Sequence, residues 1–311
     1  MDQPKVSIII LNWNGLEDTI ECLESLKKVT YPNYEIIVVD NGSEGDDVKV
    51  LRERYRDCIH IIQNEKNYGF ARGNNVGIRY ALDKGVDYVL LLNNDTVVAP
   101  DFLDEMVRVA QSDERIGIVC PKMYRYSQPE KVCFDGGARI HLLWGTVTEG
   151  LRPDDERAVV DTEFAIGTAM LIRRKTLEQI GLLPEEYFFG MEDWDYSLNA
   201  LRNKFRLVVA RRATVWHKVA STAGATMGRP WLAYQNYKNW QIMCRKYHSP
   251  PGQVLSTLCV LARAAFMSSI TLLHYIWHRD FHNAGMFVRS MREALRGLLA
   301  GLLYRKPGGL P

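Results

Sequence analysis

The chain has 311 residues, of which 47% are hydrophobic and 24% charged, a balance that excludes disordered, collagenous and small disulfide-stapled proteins. The net charge is only +2, but it is split: residues 1–228 hold 28 Lys+Arg against 35 Asp+Glu, and residues from Arg229 onward hold 11 against 2. An acidic body suits a cation or a catalytic carboxylate, a basic tail suits an anionic surface, and neither calls for nucleic acid.

In chain order, Val6–Leu11 is a β-branched run and reads as the first strand. Leu16, Ile20 and Leu23 follow at helical spacing, with Asn14 and Gly15 as start signals. Glu35–Val39 reads as a second strand ending at Asp40-Asn41-Gly42-Ser43, and Ile59–Gln63 as a third after a helix through Val48, Leu51 and Tyr55. Ala71, Asn75, Ile78 and Leu82 give another helical stripe, closed by Gly85. Tyr88–Leu92 is a fully apolar strand that stops at Asn93-Asn94-Asp95. Further strands are expected at Ile116–Pro121, Thr168–Arg173 and Phe205–Ala210, with an extended piece at Ala213–His217. A short helix is expected over Lys175–Gly181, and a longer one from Glu192-Asp193-Trp194-Asp195 to about Lys204. After Arg229 the composition turns helical, interrupted at Ser249-Pro250-Pro251-Gly252. The expected domains are therefore a catalytic α/β body over 1–228 and a helical region over 229–311.

Strands alternating with helices predict βαβ units and a mostly parallel sheet flanked by helices. Ligands of such sheets bind beyond the carboxyl ends of the strands. The polar clusters Asn12-Trp13-Asn14, Asp40–Ser43 and Asn93-Asn94-Asp95 all fall there. The single glycine of LNWNG excludes a dinucleotide fingerprint, and no phosphate-binding loop with a terminal Lys-Ser/Thr occurs. Asp40 suits a base or ribose hydrogen bond, although Asp-Asn-Gly-Ser is also strong turn chemistry. The segment Asn67–Asn75 opens a helix whose free N–H groups suit a diphosphate, with Arg72 as a charged contact; a glycine-tolerant loop is the plainer alternative. Asp95 follows a buried strand and stands too early to cap the helix after Pro100, so a divalent cation bridging to phosphates is the better explanation. Three acids in Glu192–Asp195 offer a general base, or a helix start biased acidic by its dipole. His217 alone reads more readily as structural than as a ligand. Six scattered cysteines without a CxxC pair predict neither a zinc site nor disulfides. MDQPKVSIII lacks a signal peptide's basic start and cleavage site, which points to the cytoplasm.

The stretches VSIIILNWNG, IIVVDNGS, NYGFARGNNVGI, YVLLLNNDT, GTAMLIRR, FFGMEDWDYSLNALRNKFRLVVA and VWH, in this order over about residues 4–220, resemble family 2 glycosyltransferases of the GT-A fold. The likeness is greatest to the rhamnosyltransferase branch of bacterial surface polysaccharide synthesis. The resemblance implies that Asn12, Asn14 and Asp40 contact the nucleotide and that Gly69, Arg72 and Asn74 lie by the nucleotide and diphosphate. Asn93-Asn94-Asp95 stands at the family's Asp-x-Asp metal motif, with Asn94 beside the donor and Asp95 as the remaining carboxylate. Asp193 matches the catalytic base, and His217 a histidine that joins the metal, Mn²⁺ or Mg²⁺. The implied reaction is inverting transfer of a sugar from a dTDP- or UDP-linked donor to a lipid-linked or polymeric glycan. Two rivals are a nucleotidyltransferase, which should show a basic glycine-rich signature after the first strand, and a non-catalytic glycan-binding protein, which should lack Asp95 or Asp193.

In the tail, Val254–Trp277 carries one formal charge, Arg263, and Val288, Met291, Leu295, Leu298 or Leu299, and Leu302 form a stripe beside Arg289, Arg292 and Arg296. The length would suit a bilayer span, but Arg263 and five Ser/Thr favour attachment at a membrane surface, on the inner face of the plasma membrane. A buried helical layer or a homodimer contact is the alternative.

Overall fold

A computed structural model describes residues 3–148, 156–218 and 229–279, with positions 281, 285, 288, 289 and 292 beyond them. The expected stripe from Met291 to Leu302, including Arg296, lies outside the described residues. The described chain divides into one unit of 1–140 and 147–220 and a second of 141–146 and 221–311.

The first unit is built on β1 (Val6–Asn12), β2 (Tyr34–Asp40), β3 (His60–Gln63) and β4 (Tyr88–Asn93), which pair in parallel in the order β3-β2-β1-β4. Their connections are the helices α1 (Leu16–Leu26), α2 (Asp47–Tyr55) and α3 (Phe70–Asp83). Ile8, Ile9, Ile10, Val38, Val39, Leu90 and Leu91 are all essentially inaccessible, because helices on both faces leave no strand position facing water.

Beyond β4 the sheet becomes mixed. β11 (Ala169–Arg173) lies antiparallel to β4, and β6 (Ile116–Arg125) antiparallel to β11. β12 (Arg206–His217) then runs parallel to β6 with a bulge between Ala210 and Thr214. The two extended pieces expected from the sequence are thus one bent strand. β5 (Thr96–Val98) and β10 (Val159–Asp161) add to β12 and β7 (Gln128–Phe134) to β6, all antiparallel. The parallel character read from the sequence holds for the first four strands and the β6–β12 pair. β11 runs antiparallel to its neighbour β6, and among the described residues no helix lies between the two, so the helical crossover that parallel pairing usually needs is missing. α4 (Phe102–Gln111), α5 (Arg174–Ile180) and α6 (Glu192–Arg202) complete this unit. β8 (Arg139–His141) and β9 (Thr146–Thr148) form a separate two-stranded hairpin.

In the second unit α7 (Arg229–Tyr247) and α8 (Pro250–Trp277) pack together around buried Trp240, Met243 and Cys244. Ser256 of α8 donates to the carbonyls of Leu142 and Leu143, both at 3.1 Å. Among the described residues no helix is long and apolar enough to cross a membrane. The six cysteines are free thiols.

Candidate active site

Parallel register places the polar strand ends side by side. Asn12 stands opposite Asp40, and Leu11 opposite Asn93. The antiparallel β11 begins at the same edge, where Thr168 O accepts from Asn93 N at 2.8 Å. β12 ends there as well, with His217 opposite Thr96.

Asn12 and Asp40 are both fully buried. The Asn12 amide donates to Asp40 Oδ1 (3.0 Å) and Asp47 Oδ2 (2.9 Å), and its Oδ1 accepts from Thr19 Oγ1 at 2.9 Å. The other Asp40 oxygen accepts from Ser43 N at 3.1 Å. Both side chains are therefore engaged within the protein, and Asn12 acts on this edge through Asp40. Asn14, at φ 51°, is exposed and accepts from Glu44 N at 2.8 Å. It thereby ties the β1–α1 turn to the loop after β2.

The loop before α3 is held by Asn41, whose amide donates to Asn67 Oδ1 at 2.9 Å and whose oxygen accepts from Tyr68 N at 3.1 Å. Gly69 has φ 82° and ψ 178°, a conformation open essentially to glycine alone. Phe70 N then donates to Phe188 O at 2.8 Å, which docks the YFFG segment against the start of α3. Arg72 is exposed, with its guanidinium 4.4 Å from the Tyr68 ring centroid. Asn74 is buried and caps within its own helix, donating to Phe70 O at 3.0 Å. Asn75 holds the other flank of YFFG through Leu183 O (2.8 Å) and Glu185 Oε1 (3.0 Å).

These contacts carry α6 to the sheet edge. Asp193 Oδ2 accepts from Gly167 N at 3.0 Å, and Oδ1 from Trp194 N at 2.9 Å. Burial raises the Asp193 carboxyl above its ordinary range, and the two backbone N–H donors pull it partly back. Glu192 is 6% exposed, its Oε2 has no partner among the described residues, and burial plus the neighbouring Asp193 charge raise it too. Adjacent buried carboxyls of this kind keep one proton between them more readily than none. Asp195 is buried as well.

Asp95 lies in the turn between β4 and β5 and is 9% exposed. His217, 122 positions away, brings Nε2 to 3.2 Å from Asp95 Oδ1. Pairing of β12 with both β5 and β6 makes this approach, and the backbone fixes it: Lys218 N donates to Asp95 O (3.0 Å), and Tyr126 N to His217 O (2.9 Å). The Lys218 ammonium is anchored on α1 by Asp18 and Glu21, each at 2.5 Å. Desolvation opposes its charge, but these two carboxylates hold its pKa above the usual lysine value. Asn94 packs on the start of α1, donating to Thr19 Oγ1 at 3.0 Å. Asp101, not Asp95, stands at the start of α4.

A carboxylate oxygen beside an imidazole nitrogen is a donor pair that would suit Mn²⁺ better than Mg²⁺, which prefers oxygen alone. Among the described residues no three His, Cys, Asp or Glu side chains converge. Burial pushes the Cys22 and Cys120 thiols up to about 12. Asn41, Asn75, Gly167 and Lys218 were not singled out from the sequence. Asn41 had a local signal in its turn sequence, whereas the other three matter through partners 26 to 200 positions away.

Comparison with known proteins decides the family. The model of "Glycosyl transferase family 2" matches residues 7–181. This chain belongs to that family. Asp193 and His217 lie beyond the matched stretch. Among curated relatives, the "Low-salt glycan biosynthesis hexosyltransferase Agl10" of Haloferax volcanii is 29% identical over 212 residues, covering 65% of this chain and 63% of that protein. The "dTDP-rhamnosyl transferase RfbF" of Shigella flexneri is 23% identical over 230 residues, 70% of this chain and 73% of that one. The chain spans less than two thirds of the Haloferax relative and 62% of an uncharacterized glycosyltransferase of Haemophilus influenzae.

Two solved structures share the GT-A fold of this family 2 glycosyltransferase. The mannosyltransferase PcManGT of Pyrobaculum calidifontis, in complex with GDP-Man and Mn²⁺, has a TM-score of 0.58 at 16% identity, covering 99% of this chain and 89% of its own. GalNAc-T7 with UDP, GalNAc and Mn²⁺ has a TM-score of 0.60 at 17% identity, covering 70% of this chain and 44% of its own.

Proposed function

We propose that the chain is a metal-dependent, inverting hexosyltransferase of bacterial cell-surface glycan synthesis. It would take a nucleotide-diphospho-sugar and a hydroxyl of a lipid-linked or polymeric glycan, working at the cytoplasmic face of a membrane. The observation that carries the reading is the convergence of Asp95–His217 and of Asp193 on one sheet edge, each pair assembled from segments distant in sequence.

A divalent cation held by Asp95 Oδ1 and His217 Nε2 would supply the positive charge that stabilises a departing nucleoside diphosphate. Asp193 removes the proton of the acceptor hydroxyl as its oxygen bonds to the anomeric carbon and the bond to the diphosphate breaks. Gly167 N–H and Trp194 N–H keep the carboxylate oriented and prevent burial from raising it so far that it stays protonated. One base without a second nucleophilic carboxylate gives a single displacement, hence inversion. Asn14 and Arg72, both exposed, are the proposed contacts of the nucleotide and diphosphate, with Asp40, Gly69, Asn74 and Asn94 shaping the surface around them.

Rhamnose on a dTDP donor is the proposed substrate, supported by the activity in the Shigella relative's name. UDP- and GDP-sugars are the alternatives that the solved structures suggest. Hydrolysis of a nucleotide-sugar panel, with Mn²⁺ and with excess chelator, tests this. Release of nucleoside diphosphate from one donor, abolished by chelator, is expected. Full hydrolysis in chelator would refute the metal assignment, and formation of nucleotide-sugar from nucleoside triphosphate would favour the nucleotidyltransferase.

A further inference from the structure

We infer that α8 is the element that meets the membrane, lying flat on an anionic lipid surface through one apolar half of its circumference. The inference adds a partner to the transferase reading, but it rests on the surface of the helix rather than on the catalytic groups.

At about 100° per residue, the exposed apolar side chains between Val254 and Trp277 fall on one arc roughly 180° wide. Among them Leu258, Leu261, Phe266, Ile270, Leu273 and Trp277 are between 36% and 85% exposed. Near the start of the helix, the side opposite this arc makes contacts within its own unit. Ser256 is fully buried against Leu142 and Leu143, and Thr257 Oγ1 accepts from Gln241 of α7 at 3.5 Å. Within the arc the exposed Ser269 donates to Ala265 O at 2.9 Å, so even its hydroxyl is satisfied by its own helix. Exposed apolar surface of this extent marks a contact rather than a solvated face.

The surrounding charge selects the partner. From Arg229 to Arg279 the chain contains no Asp or Glu. Lys238, Arg245, Lys246, Arg279, Arg289 and Arg292 are exposed. A segment whose formal charges from Arg229 to Arg279 are all positive repels its own copy and attracts anionic headgroups, at roughly fivefold in partitioning for each basic residue that reaches them. A helix of 28 residues, about 42 Å long, that is not apolar enough to cross a bilayer matches the interfacial mode, in which the apolar face enters the headgroup boundary and the axis stays parallel to it. Trp277, 85% exposed at the end of α8, has the amphipathic ring that favours that depth.

Flotation of the full chain with vesicles of phosphatidylcholine mixed with phosphatidylglycerol, and of phosphatidylcholine alone, tests the inference. Parent protein should float with the mixed vesicles and less with the neutral ones. Leu258→Gln/Leu273→Gln should lower binding more than tenfold, and Arg289→Gln/Arg292→Gln should remove much of the preference for the anionic vesicles. Equal flotation of the leucine variant and the parent overturns the inference, as does absence of parent flotation. A dimer in light scattering that the leucine variant abolishes, without flotation, assigns the arc to a second copy instead. If that variant loses its helical circular dichroism, quenching by brominated lipids decides, read as the difference between parent and Trp277→Phe: no difference overturns the inference. Donor hydrolysis without vesicles should be the same in parent and leucine variant. Its absence from the parent would count against the transferase reading and leave the membrane contact standing.

Discussion

Gly69 offers a way to displace the loop that leads into Asp193, the proposed base, without touching that side chain. A Cβ on Gly69 would lie 2.3 Å from Phe188 O and 2.9 Å from Phe188 Cδ2, against a shortest ordinary approach of 3.0 Å. The obstacle is a backbone carbonyl, so either the YFFG segment or the start of α3 must shift by the better part of an ångström. The Phe70–Phe188 hydrogen bond of 2.8 Å is lost in either case. Forcing alanine into this backbone region costs about 1–3 kcal/mol, and the lost hydrogen bond adds about 1 kcal/mol. Gly69→Ala should therefore lower Tm by roughly 5–15 °C, taking about 2–4 °C per kcal/mol for a unit of this size. YFFG leads directly into Glu192 and Asp193, and a misplacement near 1 Å can cost up to about 10² in rate. Gly85→Ala is the control. It too has positive φ, +73°, but an added Cβ there meets nothing within 4 Å. Thermal denaturation and donor turnover at saturating donor should separate the two: Gly85→Ala loses a little stability and no rate, Gly69→Ala loses both. Equal behaviour in both assays would refute the argument that the Gly69–Phe188 approach positions Asp193.

Asp95→Asn and His217→Ala should each weaken Mn²⁺ binding in the presence of nucleoside diphosphate, read by titration calorimetry, with Asp95→Asn the more severe because it removes the charged ligand; unchanged affinity in both would refute the pair as a metal site. Asp193→Asn should lower turnover by about 10²–10⁴ with donor affinity kept, and parent turnover should fall as pH drops through the raised Asp193 value, since only the ionised carboxyl accepts a proton. A flat acid limb, or lost donor binding with turnover intact, would move the base elsewhere. Glu192 carries the opposite signature in stability. Its folded value lies above the ordinary 4.5, so its contribution is complete below that value and declines as pH rises through the raised one. Glu192→Gln should flatten that decline in chemical denaturation, and an unaltered slope would show that Glu192 is not the titrating group.

The apolar runs at Val6–Leu11, Glu35–Val39 and Tyr88–Leu92 were legible as strands because burial on both faces demands continuous hydrophobicity, a local property of sequence. The placing of Asn12, Asp40 and Asn93 at strand ends was equally local, and parallel register made them neighbours. The motif order identified the family, and residues 7–181 match its model. The short strands β5, β7 and β10 were not legible, because segments of three to seven residues at the margins of the sheet are too short to carry a readable periodicity. The extent of the antiparallel half was hidden with them. The docking of Phe188 on Gly69 and the anchoring of Lys218 on α1 were decided by tertiary structure alone, and the direct contact of His217 with Asp95, which the family resemblance assigned to one metal, was made by the pairing of β12 with β5. Each joins segments about 120 or more positions apart, and nothing in either segment's own hydrophobic pattern or turn chemistry specifies the other. The internal partners of Asn12 and Asp40 were hidden in the same way, because only the fold brings Thr19 and Asp47 to the Asn12 side chain and sets Ser43 N against Asp40.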